Sequence, residues 1–386
     1  MVLLCVTLVV KKVTKHFHLS GESLCSSPMK ESAISLLATL TNAHSVPGHE
    51  DEVRDVFADE LKGLGSLSTD GNGSVVCTKD GEGPHVLLAG HMDEVGFLVQ
   101  GVSASGFIQF VSVGGWWSHT LLSQRVVIKN RNGKKVMGVI ASKPPHFLPE
   151  SQRRQVLPED ALHIDIGASS RAEVETLGIR LGDPIAPATE FSSLELEDRY
   201  VAKAFDNRVG MACAIQAMQE LAETDLPNRF SVCGTVQEEV GLRGAVTLAN
   251  EIEPDVVIVL EGPPADDTPG FNVAEAQGKL GGGVQVRLFD PTAIGNPRLA
   301  QFVEKVAEEN GINFQLTVRR SGGTDAGSFH KSGKGIPSIV LGTPARYIHS
   351  HNAIIDINDY LEMVKLAKLL VQALDREQVD SFTQYL

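Results

Sequence analysis

The spacing of apolar and polar positions divides the chain into three textures. Over residues 29–64 apolar side chains recur at helical spacing, and the stretch reads as two helices separated by Ser45-Val46-Pro47-Gly48-His49-Glu50. The second, over 50–64, places Val53, Val56, Phe57, Leu61 and Leu64 on one face. Asp70-Gly71-Asn72-Gly73 is a turn, after which 74–78 and 85–89 read as strands. From about Val99 to Leu196 the texture changes to short β-like runs between glycine turns: 107–113, 125–129, 135–141, 163–166 and 184–188. Asn130-Arg131-Asn132-Gly133 joins two of them as a hairpin turn would. At Val201 helices and strands alternate again, with a helix over 209–223, strands over 230–237, 255–260 and 336–341, and helices near 244–250, 298–310 and 357–374. The expected architecture is a small, mainly β domain (99–196) inserted into an α/β domain (29–98 and 197–386).

Residues 1–28 fit neither texture. Met1 to Val10 is apolar but too short to span a bilayer, and its lysines, Lys11 and Lys12, follow the run where a signal peptide carries them ahead. We read 1–28 as a disordered extension or an upstream start, and expect no membrane span.

Composition narrows the function classes only a little. A chain of 386 residues has room for one large or two ordinary domains. A net charge of −14 without a basic stripe argues against nucleic acid as a partner. The five cysteines are an odd number without CxxC spacing, which argues against a disulfide framework and for a reducing, cytoplasmic setting.

The chemistry lies where the apolar runs stop. His91 with Asp93, Asp206, Glu238 with Glu239, Glu261, and His349 each follow such a run, and a parallel-type sheet would bring them to one edge. Singly, each has an ordinary reading: a surface pair, a helix N-cap, an acidic turn, a core histidine. Together they suit two divalent ions, and mixed imidazole and carboxylate donors favour zinc, cobalt or manganese over calcium. The adjacent Glu238 and Glu239 repel each other unless one binds a cation and the other carries a proton. Asp93, two residues after His91, is placed to orient its imidazole. Gly281-Gly282-Gly283 lacks the Lys-Ser/Thr of a phosphate loop and reads as a turn near substrate. Gly322-Gly323-Thr324-Asp325-Ala326 reads equally as substrate contact or helix N-cap.

The series Gly90-His91-Met92-Asp93-Glu94-Val95-Gly96, Ala204-Phe205-Asp206-Asn207-Arg208, Gln237-Glu238-Glu239-Val240-Gly241 and Arg346-Tyr347-Ile348-His349-Ser350 closely resembles the TET-type metallo-aminopeptidases. The likeness runs from about Met29 to the C-terminus, including Gly114-Gly115-Trp116 and Lys143-Pro144-Pro145-His146 in the insertion. It implies a zinc-exopeptidase-like mixed sheet flanked by helices, with an inserted β-barrel-like domain. By that resemblance Asp206 bridges two metals, His91 and Glu261 complete one shell, and Glu239 and His349 complete the other. Glu238 would be the general base and acid, and Asp93 the orienting carboxylate. Glu261 stands where many relatives carry Asp, and His351, two residues past His349, competes as a ligand. The implied activity is removal of N-terminal residues from peptides. The implied assembly is a homo-oligomer in which the insertion drives dimer formation, extending to a hollow tetrahedral dodecamer. Competing readings are a deacylase or carboxypeptidase on the same scaffold, and an endoglucanase, a name some relatives bear. A non-catalytic scaffold is disfavoured because every ligand and the base are present.

Overall fold

The computed structural model describes residues 28–386. The extension expected over 1–28, with Cys5 and Cys25, lies outside the described residues apart from Pro28, which opens the helix Pro28–Asn42. A second helix, Asp51–Glu60, follows. Three strands lead to the first site segment: β1 (Ser66–Thr69), β2 (Val75–Lys79) and β3 (His85–His91). Six more then form a closed barrel: β4 (Gly96–Val102), β5 (Ile108–Val113), β6 (Arg125–Lys129), β7 (Lys135–Ala141), β8 (His163–Asp165) and β9 (Pro184–Pro187). After β10 (Ser192–Ser193) and β11 (Arg199–Ala202) comes the long helix Phe205–Leu221. Strands β12 (Arg229–Thr235), β13 (Val256–Glu261), β14 (Val284–Asp290), β15 (Ala293–Ile294), β16 (Phe314–Val318), β17 (Ser338–Gly342) and β18 (Ala353–Asp356) complete the set. The helices Arg243–Ile252, Pro297–Glu309 and Ile357–Ala373 lie among or after them.

The architecture is mixed α/β. Among the described residues the main sheet has nine strands in the order β1-β2-β12-β3-β13-β17-β14-β15, with β16 on the outer side of β14. Strands β12, β3, β13 and β17 run parallel at its centre. Register fixes the site: Thr235 lies opposite His91, and Val259 lies opposite Ala89. Chain segments leaving β3, β12 and β13 therefore emerge side by side at one edge.

The central strands are apolar on both faces because helices cover both. Val86, Leu88, Val232, Ile258 and Leu260 join one core, while Leu87, Ala89, Cys233, Val257 and Val259 join the other. The helix Phe205–Leu221 packs across β3, β12 and β13 directly behind the site. Glycines permit that approach: a Cβ on Gly90 would meet the carbonyl carbon of Gly210 at 2.9 Å, and one on Gly210 would meet the oxygen of Leu260 at 2.3 Å.

The barrel has its own core of Phe97, Val99, Ile108, Phe110, Val126, Ile128, Ile140, Ile164 and Ile185. Strands β14, β15, β16 and β18 were not expected from the sequence. Strand β16 is half exposed along its length and alternates with polar residues, and β18 is four residues long, so neither leaves a clear apolar run. One expectation is corrected: Asp206 does not follow a strand of the main sheet. It follows β11, which pairs with β10 and β18 in a separate three-stranded sheet. Among the described residues no helix is long and apolar enough to cross a membrane.

Candidate metal centre

Six of the seven predicted site residues line one cavity of about 490 Å³: His91, Asp206, Glu238, Glu239, Glu261 and His349. Asp93 lies fully buried beneath them. His91 and Glu261 are the last residues of β3 and β13. Glu238 and Glu239 lie just past β12, on a turn held by Gln237 at φ +56° and Leu242 at φ +56°. Ala204, Tyr347 and His349 also have positive φ, so five of the eight such non-glycine residues described flank this cavity. Strain of that kind persists only where the surrounding structure over-determines the backbone.

Asp206 occupies the middle. Its Oδ1 lies 3.2 Å from His91 Nε2, and its Oδ2 lies 3.4 Å from His349 Nε2. His91 Nε2 also lies 3.7 Å from Glu261 Oε2 and 3.9 Å from Glu238 Oε2. His349 Nε2 lies 3.4 Å from Glu239 Oε2. Among the described residues two clusters of donor atoms are compact enough to hold an ion, His91 with Glu238 and Glu261, and His91 with Asp206 and Glu239.

The electrostatics call for a cation. Burial, aided by Asp206, pushes Glu239 up to about 8, and burial with Asp206 does the same to Glu261. Burial also raises Glu238 well above the carboxylate range. Burial opposes charge on His91, but Glu238, Glu261 and Asp206 outweigh it and raise the imidazole strongly. His349 is lifted to about 9 in the same way, against burial, by Asp206 and Glu239. Glu239 Oε1 and Glu261 Oε1 are buried without a hydrogen-bond partner among the described residues. Buried carboxylate oxygens are normally satisfied, so these two fit donors to a divalent ion.

The family model for M42 glutamyl aminopeptidases matches residues 73–366. The chain belongs to this family. Its sequence is 34% identical over 351 residues to the glutamyl aminopeptidase of Lactococcus lactis, covering 90% of this chain and 98% of that protein. Its fold matches a TET aminopeptidase from a marine-sediment Thaumarchaeota archaeon with a TM-score of 0.89 at 39% identity, covering 92% of this chain and all of that one. It also matches the Pyrococcus horikoshii TET1 peptidase, which can assemble into a tetrahedron or a large octahedral shell, with a TM-score of 0.80 at 30% identity, covering 89% and 100%. As a member of the M42 family the protein is a metallo-aminopeptidase, a hydrolase of peptide bonds.

Asp93 shapes the cavity from below. The two oxygens of Asp93 accept the backbone N–H of Glu238 and of Glu239, each at 3.0 Å. Asp93 Oδ1 is 3.5 Å from His91 Nδ1, which lies closer, at 3.0 Å, to the backbone oxygen of Asp93. So Asp93 fixes the glutamate turn as well as touching the imidazole, a job that its spacing from His91 did not suggest.

Beneath it lies a buried charge network that the sequence also did not suggest. Glu94 accepts from Lys203 Nζ at 2.6 and 2.8 Å and from Arg208 Nη2 at 3.0 Å. Arg208 also donates to the carbonyl oxygens of Met92 and Leu40. Since Lys203 and Arg208 bracket Asp206, the network ties that segment to the one bearing His91 and Asp93.

The remaining expectations resolve as follows. His351 lies outside the cavity, is 2% exposed, packs on Trp116 and is pushed down to about 4 by burial. Gly322, Gly323 and Thr324 line the cavity, and Asp325 lies below, accepting from the Thr235 hydroxyl. The Gly281 and Gly283 amides both donate to Asp359 at 2.7 Å, so that turn is spent on internal structure. Arg287 is the cation in the cavity lining, and nothing in the sequence singled it out.

Proposed function

We propose that the protein is a dimetal-dependent aminopeptidase that hydrolyses N-terminal residues from peptides. The observation that carries this reading is Asp206, whose two oxygens face two different imidazoles at 3.2 and 3.4 Å. A carboxylate so placed suits a bridge. His91 and Glu261 would complete one ion's shell, and Glu239 and His349 the other's, with zinc favoured and cobalt or manganese possible alternatives. Such a pair would supply Lewis acidity and a water of lowered pKa.

The protein's own residues then divide the work. Glu238 Oε2 lies 3.9 Å from His91 Nε2 and could join Glu261 on the first ion; we assign its carboxylate to the proton instead, as the family resemblance implies. Its burial makes it a stronger base than an exposed glutamate, able to accept a proton at Oε2 and release it to the departing amine. Asp93 holds the amides of Glu238 and Glu239 so that the two side chains diverge. The carboxylate-rich wall would hold the ammonium of a free N-terminus, which favours an aminopeptidase over a deacylase or carboxypeptidase. It also leaves no carboxylate pair free to flank a glycosidic bond as an endoglucanase requires. We assign catalysis to 29–98 with 197–386, and dimer formation to 99–196. A homo-oligomer built from such dimers, up to a tetrahedral shell, and a cytoplasmic location complete the reading.

Glu238→Gln tests the division of labour. It should keep its metal content by mass spectrometry and lose about 10²- to 10⁴-fold in kcat on an aminoacyl anilide; an unchanged rate would refute the role. Turnover of an N-acylated amino acid but not of the free-amine substrate would refute the aminopeptidase reading.

A further inference from the structure

The two imidazoles are oriented from different places. His91 Nδ1 faces the backbone oxygen of Asp93 in its own segment. His349 Nδ1 faces the backbone oxygen of Gly115 at 2.9 Å, 234 positions away and in the loop that follows β5 of the barrel. His349 needs outside support more than His91 does. Its side chain is 36% exposed against 1% for His91, and it sits in a loop at φ +54° between β17 and β18.

We infer that the barrel is a positioning element for the centre: Trp116 sets the Gly115 carbonyl, and that carbonyl holds His349 in the tautomer and orientation that present Nε2. The inference rests on the reading of His349 as a metal-binding residue. With Nδ1–H donating to Gly115, Nε2 keeps the lone pair on the side facing Asp206 and Glu239. The carbonyl is itself held from the barrel core. The Trp116 ring stacks on Phe97, with centroids 4.8 Å apart and planes at 23°, and its Nε1 donates to the Gly96 oxygen at 3.1 Å. Phe97 is fully buried and meets Phe110 edge-on at 5.0 Å. The other side of Trp116 meets His351 at 5.2 Å, so the ring is wedged between the barrel and the loop that carries His349. The fit allows no slack at Gly115, where a Cβ would approach His349 Nδ1 to 3.2 Å. The neighbouring Trp117 is 64% exposed and packs on His119, outside this wedge.

Competitive chelator titration of zinc into the full-length protein, with stoichiometry by native mass spectrometry, measures each ion's affinity. Trp116→Ala and Gly115→Ala should each weaken one of two ions by about 10- to 100-fold and leave the other unchanged. Trp116→Phe, which can still stack on Phe97, should recover part of the loss, and Trp117→Ala should bind as wild type. Histidine ¹⁵N spectra of the metal-free protein at alkaline pH, where the imidazole is neutral, should show one His349 tautomer in wild type and a mixture in both alanine variants. Gly115→Ala keeps the barrel core intact, so a folding failure of Trp116→Ala does not decide the matter. If Gly115→Ala and any folded Trp116 variant load both ions at wild-type affinity while His349→Ala loads one, the inference is overturned and the site reading stands. If His349→Ala also loads both, the site reading falls and the inference with it.

Discussion

Strand β13 buries all six of its residues, whereas β7 in the barrel alternates exposed and buried positions along its length. The same contrast holds for β3 and β17 against β5. A strand covered on both faces by helices has no freedom to slide or twist, and its end is a rigid mount. Strands β5 and β7 are packed on one face only, and the barrel's outer wall carries Val111, Met137 and Val139 in the open. Placing His91 and Glu261 on the first kind of strand gives the centre its fixed side. Taking Asp206 from the start of the helix that follows the small sheet, and His349 from a loop, gives it a side that must be braced by other elements.

The largest effect should come from the residue that joins the two sides. Asp206→Asn leaves the volume nearly unchanged but removes the charge that both imidazoles face. Loss of both ions would remove several kcal/mol of transition-state stabilisation, more than about a thousandfold in kcat/KM. Steady-state assays with metal analysis check this. Activity within tenfold of wild type would mean that the centre does not depend on its braced side.

The fixed side was legible in the sequence for a physical reason. A doubly covered strand must be continuously apolar, so its end is sharp, and His91, Glu238 and Glu261 stand out at three such ends. The braced side was less legible. Asp206 and His349 were found by motif, but the route to them was misread, because four-residue strands such as β11 and β18 leave no periodicity. Gly115 acts through a backbone carbonyl, which no residue type announces. The Glu94, Lys203 and Arg208 network was invisible because its members come from segments more than 100 positions apart.

A smaller effect measures burial directly. Ile258→Ala in β13 should destabilise by about 2–5 kcal/mol in chemical denaturation, since the strand cannot collapse onto the space left behind. Met137→Ala in β7, half exposed, should stay within about 0.5 kcal/mol in dilute protein. A larger loss for Met137→Ala, growing with protein concentration, would show that a second copy covers the barrel wall and would sharpen the contrast into one between a finished surface and an interface.

Another small effect is expected at the seam between the two regions. Glu52, in the helix Asp51–Glu60, pairs with Lys129 of β6 at 2.7 Å and Lys135 of β7 at 3.0 Å, and accepts the backbone N–H of His44. Burial opposes its charge, but these partners prevail and hold it down at about 2. A carboxylate depressed on folding stabilises fully above its unfolded pKa, about 4.5, and that stability is lost as pH falls toward 2. His44 is pushed down to about 4, chiefly by burial and then by Lys203. The unfolded chain then binds a proton that the folded one refuses, so stability also falls as pH drops from 6.5 to 4. Both losses fall on the seam, so the amide protection factors in β6 and β7, corrected for the intrinsic pH dependence of exchange, should fall between pH 6.5 and 4 before those in β13 do. Glu52→Gln should cost at most about 1 kcal/mol at pH 7, as partly exposed pairs do, and should flatten the profile below pH 4.5 while leaving the part above it. An equal loss of protection in β13 and the barrel strands would mean that body and barrel open as one unit, and the contrast between them would end at packing.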